Sequence, residues 1–183
     1  MRLHKRDHRF DVDLADGRRG WVRDAKAGDA KAALTTVGEV VRERPRTLLL
    51  GEDEIWTPKQ WREHRLNWCP DGAWLSGELD GFFIGLYAIM RGTRRTDRHK
   101  AEFGIWLAKS ARGLGFGRVM LQAGEAWASD HGVSRIELNV FTNNERAIEV
   151  YRAAGYEPEG VMRSAYRLPE GGTIDALRMA KLL

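Results

Sequence analysis

The chain has 183 residues, of which 43% are hydrophobic and 31% charged, a balance typical of globular proteins. The formal net charge is +4, with acidic and basic residues interspersed, which does not by itself predict a nucleic-acid-binding protein. No apolar run approaches the roughly 18 residues of a membrane span. The opening MRLHKRDHRFDVD lacks the apolar segment of a secretory signal, so we expect none.

Cysteine usage is restricted to Cys69. One cysteine allows neither an internal disulfide nor a zinc cluster, so we expect no metal and a cytoplasmic location. Its position beside Trp68 and Pro70 favours a small buried apolar side chain over a nucleophile. We expect one domain over residues 1–183, in which residues 1–17 form either a loose arm or an edge strand.

Two helices are predicted in the first part of the chain. The first can be capped by Asp29, carries apolar residues at helical spacing over 33–41, and ends before Pro45. The second begins at Thr57 with a proline in the first helical position, and it runs to about Trp68. The tryptophans here favour core packing over a substrate cage.

Three strands are predicted in the middle of the chain. Residues 73–79 and 82–90 are strand-like and flank Asp80–Gly81, a strong hairpin signal. The basic run 91–100 follows, and without interleaved aromatic residues it is more typical of a solvated loop than of a nucleic-acid surface. The third strand covers 101–108.

The remaining elements alternate between helix and strand. A glycine-rich segment over 110–117 leads into a helix that ends at Gly132, followed by an alternating strand over 135–140. A further helix ends at Gly155, and two strands flank the turn over 168–172. This order predicts a mixed α/β layer rather than a regular Rossmann alternation.

The glycine-rich segment is the first indication of a ligand. Glycines between a strand and a helix let the backbone approach a ligand, and the free N–H groups of the first helical turn attract anions such as a pyrophosphate. A P-loop is excluded because Gly117 is followed by Arg118-Val119. A dinucleotide fingerprint is excluded because Arg118 and Met120 stand where its third glycine belongs. The segment fits R-x-x-G-x-G through Arg112, Gly115 and Gly117.

A second pattern, Asn-x-x-Ala-x-x-x-Tyr-x-x-x-Gly-Tyr, runs from Asn144 to Tyr156. Together the two patterns resemble the GNAT superfamily of acetyltransferases, and the similarity extends from about Trp21 to the end. The tail over 159–163 and 171–179 is similar to the closing hairpin of members that modify protein N-termini, amino acids and small amines. The resemblance implies a GNAT-like fold, with a central twisted mixed sheet of about six to seven strands and about four helices.

The resemblance also implies where acetyl-CoA binds. Backbone amides over 112–117 would hold the pyrophosphate, and the strand ending at Leu107 would splay from the strand over 135–140. The pantetheine arm would then pair with the exposed strand edge, because an unpaired edge offers N–H and C=O groups. Cofactor contacts are thereby assigned to Trp106, Leu107, Arg112, Gly113, Leu114, Gly115, Phe116, Gly117 and Asn144.

The resemblance supports Tyr151 as the candidate general acid that protonates the leaving thiolate. Glu102, one strand step before the cofactor edge, is either the candidate base, acting directly or through water, or an ordinary carboxylate on the strand surface. Asn139 on the facing strand is a candidate contact to the acetyl carbonyl or acceptor. A backbone N–H near Leu107 would polarise the thioester carbonyl, and attack would be direct. From the residues alone, Asn144 as a helix cap and Tyr151 as a core side chain stay open.

The acceptor is expected to be a small-molecule amine or a protein N-terminus. The acidic segment 52–54 is either a solvated loop or an attractor for a cationic amine. The resemblance is compatible with a homodimer and gives no reason to expect a membrane or nucleic-acid partner. A catalytically silent GNAT-fold protein that binds CoA as a sensor or scaffold is the alternative function.

Overall fold

The computed structural model describes residues 3–6, 9–14, 17–43, 47–48, 50–68 and 71–183, which form nine strands and four helices. The helices are α1 (Ala30–Val41), α2 (Pro58–Trp68), α3 (Phe116–Asp130) and α4 (Glu145–Ala153). The strands are β1 (Leu3–Arg6), β2 (Arg9–Asp13), β3 (Arg19–Asp24), β4 (Gly72–Leu79), β5 (Phe82–Arg91), β6 (Lys100–Leu107), β7 (Arg135–Phe141), β8 (Glu157–Arg167) and β9 (Thr173–Leu182). None of the helices in this part of the chain combines the length and hydropathy needed to cross a bilayer.

All nine strands form one sheet in the order β1-β2-β3-β4-β5-β6-β7-β9-β8. Every neighbouring pair is antiparallel except β6 and β7, which are parallel. The predicted mixed α/β architecture with a central mixed sheet and four α-helices is confirmed, and the sheet has more strands than the expected six or seven. The additional strands lie at the N-terminal edge, where β1, β2 and β3 continue the antiparallel meander beyond β4.

The predicted hairpin at Asp80–Gly81 is confirmed. Its two central residues both have positive φ, +52° at Asp80 and +83° at Gly81, as a two-residue turn of the primed type requires. The turn joins β4 to β5, and β5 also pairs antiparallel with β6. These three strands therefore form the meander that the sequence predicts. The basic run after β5 is a loop, in which Asp97 accepts a hydrogen bond from the Arg94 amide at 2.8 Å.

Helices cover both faces of the sheet, and each face has its own apolar cluster. Neighbouring residues on β5 show the division: Tyr87 packs in the cluster shared with α3 and α4, whereas Leu86 packs in the cluster shared with α1 and α2. This alternation follows from the two-residue period of a strand. The second cluster contains the predicted aromatic core, where Trp61 meets Trp74 edge-on at 5.2 Å. The Trp68 side chain and Cys69 lie outside the residues whose side chains the structure describes.

Helix α1 begins directly after Asp29, but the carboxylate of Asp29 makes no capping hydrogen bond to the helix. It instead accepts two hydrogen bonds from Arg23 at 2.8 and 2.9 Å and one from Ser76 at 3.1 Å. Arg23 also pairs with Glu78 on β4. Burial raises the pKa of Asp29, but the hydrogen bonds from Arg23 and the Lys26 amide outweigh it and lower the pKa overall. The side chain therefore ties α1 to the sheet; Pro45, predicted to end this helix, lies outside the described residues.

Candidate functional site

Strands β6 and β7 separate in the middle of the sheet. They pair only from Lys100 to Glu102 on β6 and from Arg135 to Glu137 on β7, although both strands continue beyond that point. A cleft of about 670 Å³ opens between the unpaired halves and extends to the N-terminal ends of α3 and α4. The splayed geometry that the resemblance implies is therefore present in the structure.

The cleft exposes a row of backbone groups on β6 that no neighbouring strand pairs with. The amide of Ala108 donates to the Ile84 carbonyl on β5 at 2.7 Å. Because successive residues of a strand point their N–H and C=O groups to opposite sides, the groups of Ile105 and Leu107 point away from β5 and into the cleft. An extended ligand with amide groups can pair with this edge as a strand does.

The glycine loop closes one end of the cleft. Gly113 and Gly115 have φ of +81° and +89°, in the left-handed region that favours glycine, and Gly115 directly precedes α3. The Phe116 side chain is fully buried, and its ring contacts the backbone at Gly20, which has no space for a Cβ atom. This anchoring leaves the loop amides and the free N–H groups of the first turn of α3 at the cleft, where an anion is favoured.

The guanidinium group of Arg112, the first residue of the glycine motif, donates hydrogen bonds to oxygen atoms of the protein. Its Nε and Nη2 donate to the Leu107 carbonyl at 3.0 and 2.7 Å. Its Nη1 and Nη2 also donate to the two carboxylate oxygens of Glu43, at 2.6 and 3.0 Å. The guanidinium thus braces the end of β6 against the segment that follows α1, and its charge is compensated within the protein.

Asn144, the residue directly before α4, and Tyr151 on the helix lie about two helical turns apart, and both line the cleft. The Oδ1 atom of Asn144 accepts a hydrogen bond from the Ala147 amide at 3.3 Å, so Asn144 caps the helix. The ring of Tyr151 packs edge-on against Phe103 with centroids 5.9 Å apart. Burial raises the pKa of Tyr151 well above its ordinary value, which keeps the phenol protonated at neutral pH.

Glu102 and Asn139 lie side by side where the two strands separate. The Nδ2 atom of Asn139 donates to Oε1 of Glu102 at 3.2 Å, and Arg178 on β9 donates to Oδ1 of Asn139 at 3.4 Å. Arg178 also pairs with Glu137, which is buried. The Glu102 carboxylate is exposed at the cleft. Asn139, Arg178 and Glu137 form a chain of hydrogen bonds that extends from it into the sheet.

Most of the residues assigned from the sequence meet at this cleft. Those that line it are Glu102, Trp106, Leu107, Arg112, Gly113, Gly115, Gly117, Asn139, Asn144 and Tyr151. The side chains of Leu114 and Phe116 pack toward the core instead, so only their backbone can face a ligand. The acidic segment 52–54 is not part of the lining; Glu52 pairs with Arg42 at 2.9 Å.

The cleft also contains residues that the sequence analysis did not assign. Arg118 follows the glycine motif on α3, and Arg146 and Val150 occupy variable positions within the second motif on α4. Arg146 and Val150 are four residues apart and therefore share one face of the helix, a spacing that could have indicated them as a pair. Thr47 and Leu48 enter the lining from the connection between α1 and α2, where no sequence pattern predicts a wall of the cleft.

Residues 41–156 match the sequence profile of the acetyltransferase (GNAT) family. The L-amino acid N-acetyltransferase AaaT of Escherichia coli (strain K12) is 34% identical over 126 residues, 67% of this chain and 75% of that protein. A GNAT-family acetyltransferase from Streptococcus pneumoniae has a TM-score of 0.78 at 24% identity, covering 90% of this chain and 99% of its own. A phosphinothricin acetyltransferase from Sinorhizobium meliloti in complex with AcCoA has a TM-score of 0.78 at 21% identity, covering 88% and 87%.

Proposed function

Because this chain belongs to the acetyltransferase (GNAT) family, we propose that it transfers an acetyl group from acetyl-CoA to a primary amine. The observation that carries the proposal is the edge of β6 that has no strand partner beyond Glu102. This edge extends toward the glycine loop and lines the same cleft as Tyr151. The Escherichia coli relative supports amine acetylation, and the complex with AcCoA of the Sinorhizobium meliloti enzyme supports the donor.

The cleft fits the chemical parts of acetyl-CoA. The N–H and C=O groups of Ile105 and the N–H group of Leu107 suit the amides of a pantetheine arm, whereas the Leu107 carbonyl is occupied by Arg112. The amides over 112–117 suit a pyrophosphate. A Cβ atom on Gly117 would lie in ordinary van der Waals contact with the side chains of Leu107 and Val150, at 3.7 and 3.9 Å, so Gly117 is the narrow point between these two side chains. Trp106 and Asn144 complete the proposed contacts from either side of the arm.

When bound, acetyl-CoA supplies an acetyl thioester whose carbonyl carbon an amine can attack directly. We assign Glu102 as the group that accepts the proton of the incoming ammonium, because its carboxylate is exposed in the cleft where β6 and β7 separate. Asn139 holds this carboxylate through the 3.2 Å hydrogen bond and stands close enough to contact the acceptor. A general base in this position contributes about 10²- to 10⁴-fold to the rate.

Tyr151 is assigned as the group that donates its phenolic proton to the leaving sulfur. The raised pKa of Tyr151 keeps this proton in place until the sulfur takes it as the carbon–sulfur bond breaks. The N–H of Leu107 points into the cleft and can donate a hydrogen bond to the thioester carbonyl oxygen. Arg112 holds the carbonyl of the same residue, which fixes the orientation of that donor.

The acceptor class that fits best is a free amino acid or a protein N-terminus, both of which present a primary amine. The amine of the acceptor would approach Glu102 and Asn139 from the side of the sheet that α1 and α2 cover. Thr47 and Leu48 form part of the cleft wall on this side. The amino-acid acceptor in the name of the Escherichia coli relative supports this class.

The test combines binding with turnover. Calorimetry with acetyl-CoA should give micromolar binding that Gly117→Trp abolishes, since a large side chain at this position fills the cleft between Leu107 and Val150. Release of CoA thiol should then be measured with the L-amino acids and with peptides that have free N-termini. Failure of the native chain to bind acetyl-CoA would refute the proposal; binding without turnover on any amine would favour the sensor or scaffold alternative.

Tyr151→Phe tests the assigned acid. We expect kcat to fall about 10²-fold, while the dissociation constant for acetyl-CoA stays within about twofold. Tyr156→Phe is the matched control, because Tyr156 is buried beside Tyr151, with ring centroids 6.1 Å apart, but does not line the cleft. Equal kcat values for the two variants would remove Tyr151 from the mechanism.

A further inference from the structure

Arg178 lies on β9, next to the strand that separates from β6, and the proposed mechanism gives this charged residue no role. In the pairing of β7 with β9 it stands directly opposite Asn139. Its Nη1 atom donates to Oδ1 of Asn139 at 3.4 Å, and its Nη2 atom pairs with Glu137. One guanidinium group therefore joins a buried carboxylate to an asparagine at the cleft.

The chemistry of its partners decides which way the Asn139 amide points. Arginine can only donate hydrogen bonds and an ionised carboxylate can only accept them, whereas an amide group does one at each end. Between Arg178 and Glu102, Asn139 presents its oxygen to the guanidinium at 3.4 Å and its nitrogen to the carboxylate at 3.2 Å. In the reversed orientation, donor would face donor and acceptor would face acceptor, so both contacts would be lost.

The other end of this chain of hydrogen bonds is anchored in the sheet. Glu137 is buried, and Arg135 on the same strand donates to its Oε1 atom at 2.5 Å. Arg178 donates to the second oxygen, so the Glu137 carboxylate is held from both sides. Because the N–H groups of a guanidinium lie in one rigid plane, the contact with Glu137 also fixes the donor that faces Asn139.

We infer that Arg178 is a positioning residue for acetyl transfer: it orients the Asn139 amide, which in turn holds the Glu102 carboxylate in place for proton transfer. A displacement of about 1 Å at a reacting group can cost about 10²-fold in rate. Glu102 is an exposed side chain with several rotatable bonds, and the hydrogen bond from Asn139 restrains it. The catalytic consequence rests on the proposed function, because it requires Glu102 to act as the base.

The first experiment measures turnover with the amine that the native chain acetylates fastest. Arg178→Met removes every donor but retains most of the apolar stem. We expect kcat to fall about tenfold while the dissociation constant for acetyl-CoA stays within about twofold. Arg178→Lys should recover part of kcat, because it restores a charged donor without the planar fork. In an Asn139→Ala background, Arg178→Met should cost less than about a further twofold, since residues of one hydrogen-bonded chain are not additive.

Arg135→Met is the matched control. It also removes a cationic partner of Glu137, but none of the hydrogen bonds between described residues joins Arg135 to Asn139. Leaving a buried carboxylate short of one partner should destabilise both variants. Comparable losses of stability, with kcat retained only in Arg135→Met, support positioning. Equal falls in kcat for the two variants would overturn the inference, as would a tenfold loss caused by Arg178→Met in the Asn139→Ala background.

A second readout needs neither acetyl-CoA nor an amine. The side-chain amide signal of Asn139 in the NMR spectrum of the isotope-labelled native chain is identified by its absence from Asn139→Ala. Arg178→Met should move this signal toward that of a solvent-exposed asparagine, whereas Arg135→Met should leave it in place. A signal that Arg178→Met does not move would overturn the inference. If the signal moves but the native chain acetylates no amine, the proposed function fails while the orientation of Asn139 by Arg178 stands.

Discussion

At the scale of single residues, Arg112 shows how the side chain of a motif residue can hold the wall of a cleft in place. Within the described part of the chain, its guanidinium hydrogen-bonds to oxygens of Leu107 and Glu43, and both side chains of the ion pair are partly buried. Glu43 stands near the end of α1, close in sequence to the cleft residues Thr47 and Leu48. The pair therefore joins the end of β6 to the opposite wall of the cleft.

We expect the Glu43–Arg112 pair to stabilise the fold through a measurable coupling. A double-mutant cycle with Glu43→Gln and Arg112→Gln, read from urea unfolding, should give a coupling free energy of about 1 kcal/mol, since the pair is bidentate and half-buried. Arg42→Gln is the control because its pair with Glu52 is exposed, and it should change the free energy of unfolding by less than about 0.5 kcal/mol. A coupling no larger than the control effect would contradict the bracing role.

Asp29 is a second residue whose role depends on distant partners. Asp29→Asn should lower the free energy of unfolding by about 2 kcal/mol at pH 7, because it leaves Arg23 without one of its buried partners. The pKa of Asp29 is lowered in the folded state, so its stabilisation is present above the unfolded pKa of about 3.9. This stabilisation is lost as the pH falls through the pKa that Asp29 has in the folded state. Urea unfolding of the native chain and of Asp29→Asn from pH 7 to pH 3 should therefore show the difference between their free energies of unfolding decrease. Asp24→Asn, at an exposed neighbouring position, is the control and should change the free energy of unfolding at pH 7 by less than about 0.5 kcal/mol.

At the scale of elements, the contact between β5 and α3 fixes the helix that begins at the glycine loop. The ring of Tyr87 lies directly on Gly124, and a Cβ atom on this glycine would stand only 2.3 Å from ring atoms. Tyr87 is fully buried, so the ring cannot move aside without disturbing the core. The glycine therefore allows the close approach of helix and sheet.

Gly124→Ala should lower the free energy of unfolding by about 1 to 3 kcal/mol through overpacking against Tyr87. Gly104→Ala is the matched control on β6, because open space surrounds the Cβ position at Gly104. This second variant should unfold within about 0.5 kcal/mol of the native chain. Thermal and urea unfolding measure both, and equal stability of the two variants would contradict the close packing.

The elements around the site could be predicted because local signals coincide there. The glycine loop, the capping asparagine at 144 and the alternation over 135–140 each indicate one element. Strand β3 was not predicted, since its only apolar side chains, Trp21 and Val22, are adjacent and show no alternation that would separate the segment from a loop. The bracing by Glu43 and the hydrogen bonds of Asp29 connect distant segments, and a single sequence contains no signal for such partners.

At the scale of the whole molecule, three buried tyrosine side chains make the free energy of unfolding depend on pH in the alkaline range. Burial raises the pKa of Tyr87, Tyr151 and Tyr156, so the folded state holds these protons more tightly than the unfolded state does. Their contribution to stability is complete below the unfolded pKa of about 10 and decreases as the pH rises above it.

We therefore expect the free energy of unfolding to decrease above about pH 10. The ionisation of these three tyrosines should coincide with unfolding in a pH titration that follows tyrosinate absorbance and circular dichroism together. Ionisation of all tyrosines at the ordinary pKa while the circular dichroism stays native would contradict their burial.

The separation of β6 from β7 has a consequence for amide exchange with solvent deuterium. In the free protein, Ile105 and Leu107 sit in the middle of a nine-stranded sheet, but their N–H groups face an open cleft. They should therefore exchange like the amides of an edge strand, whereas those of Gly104 and Trp106, which face β5, are protected. A ligand that pairs with this edge would slow the exchange of the first two amides most. Deuterium uptake would thus report occupancy of the cleft directly, without any knowledge of the acceptor.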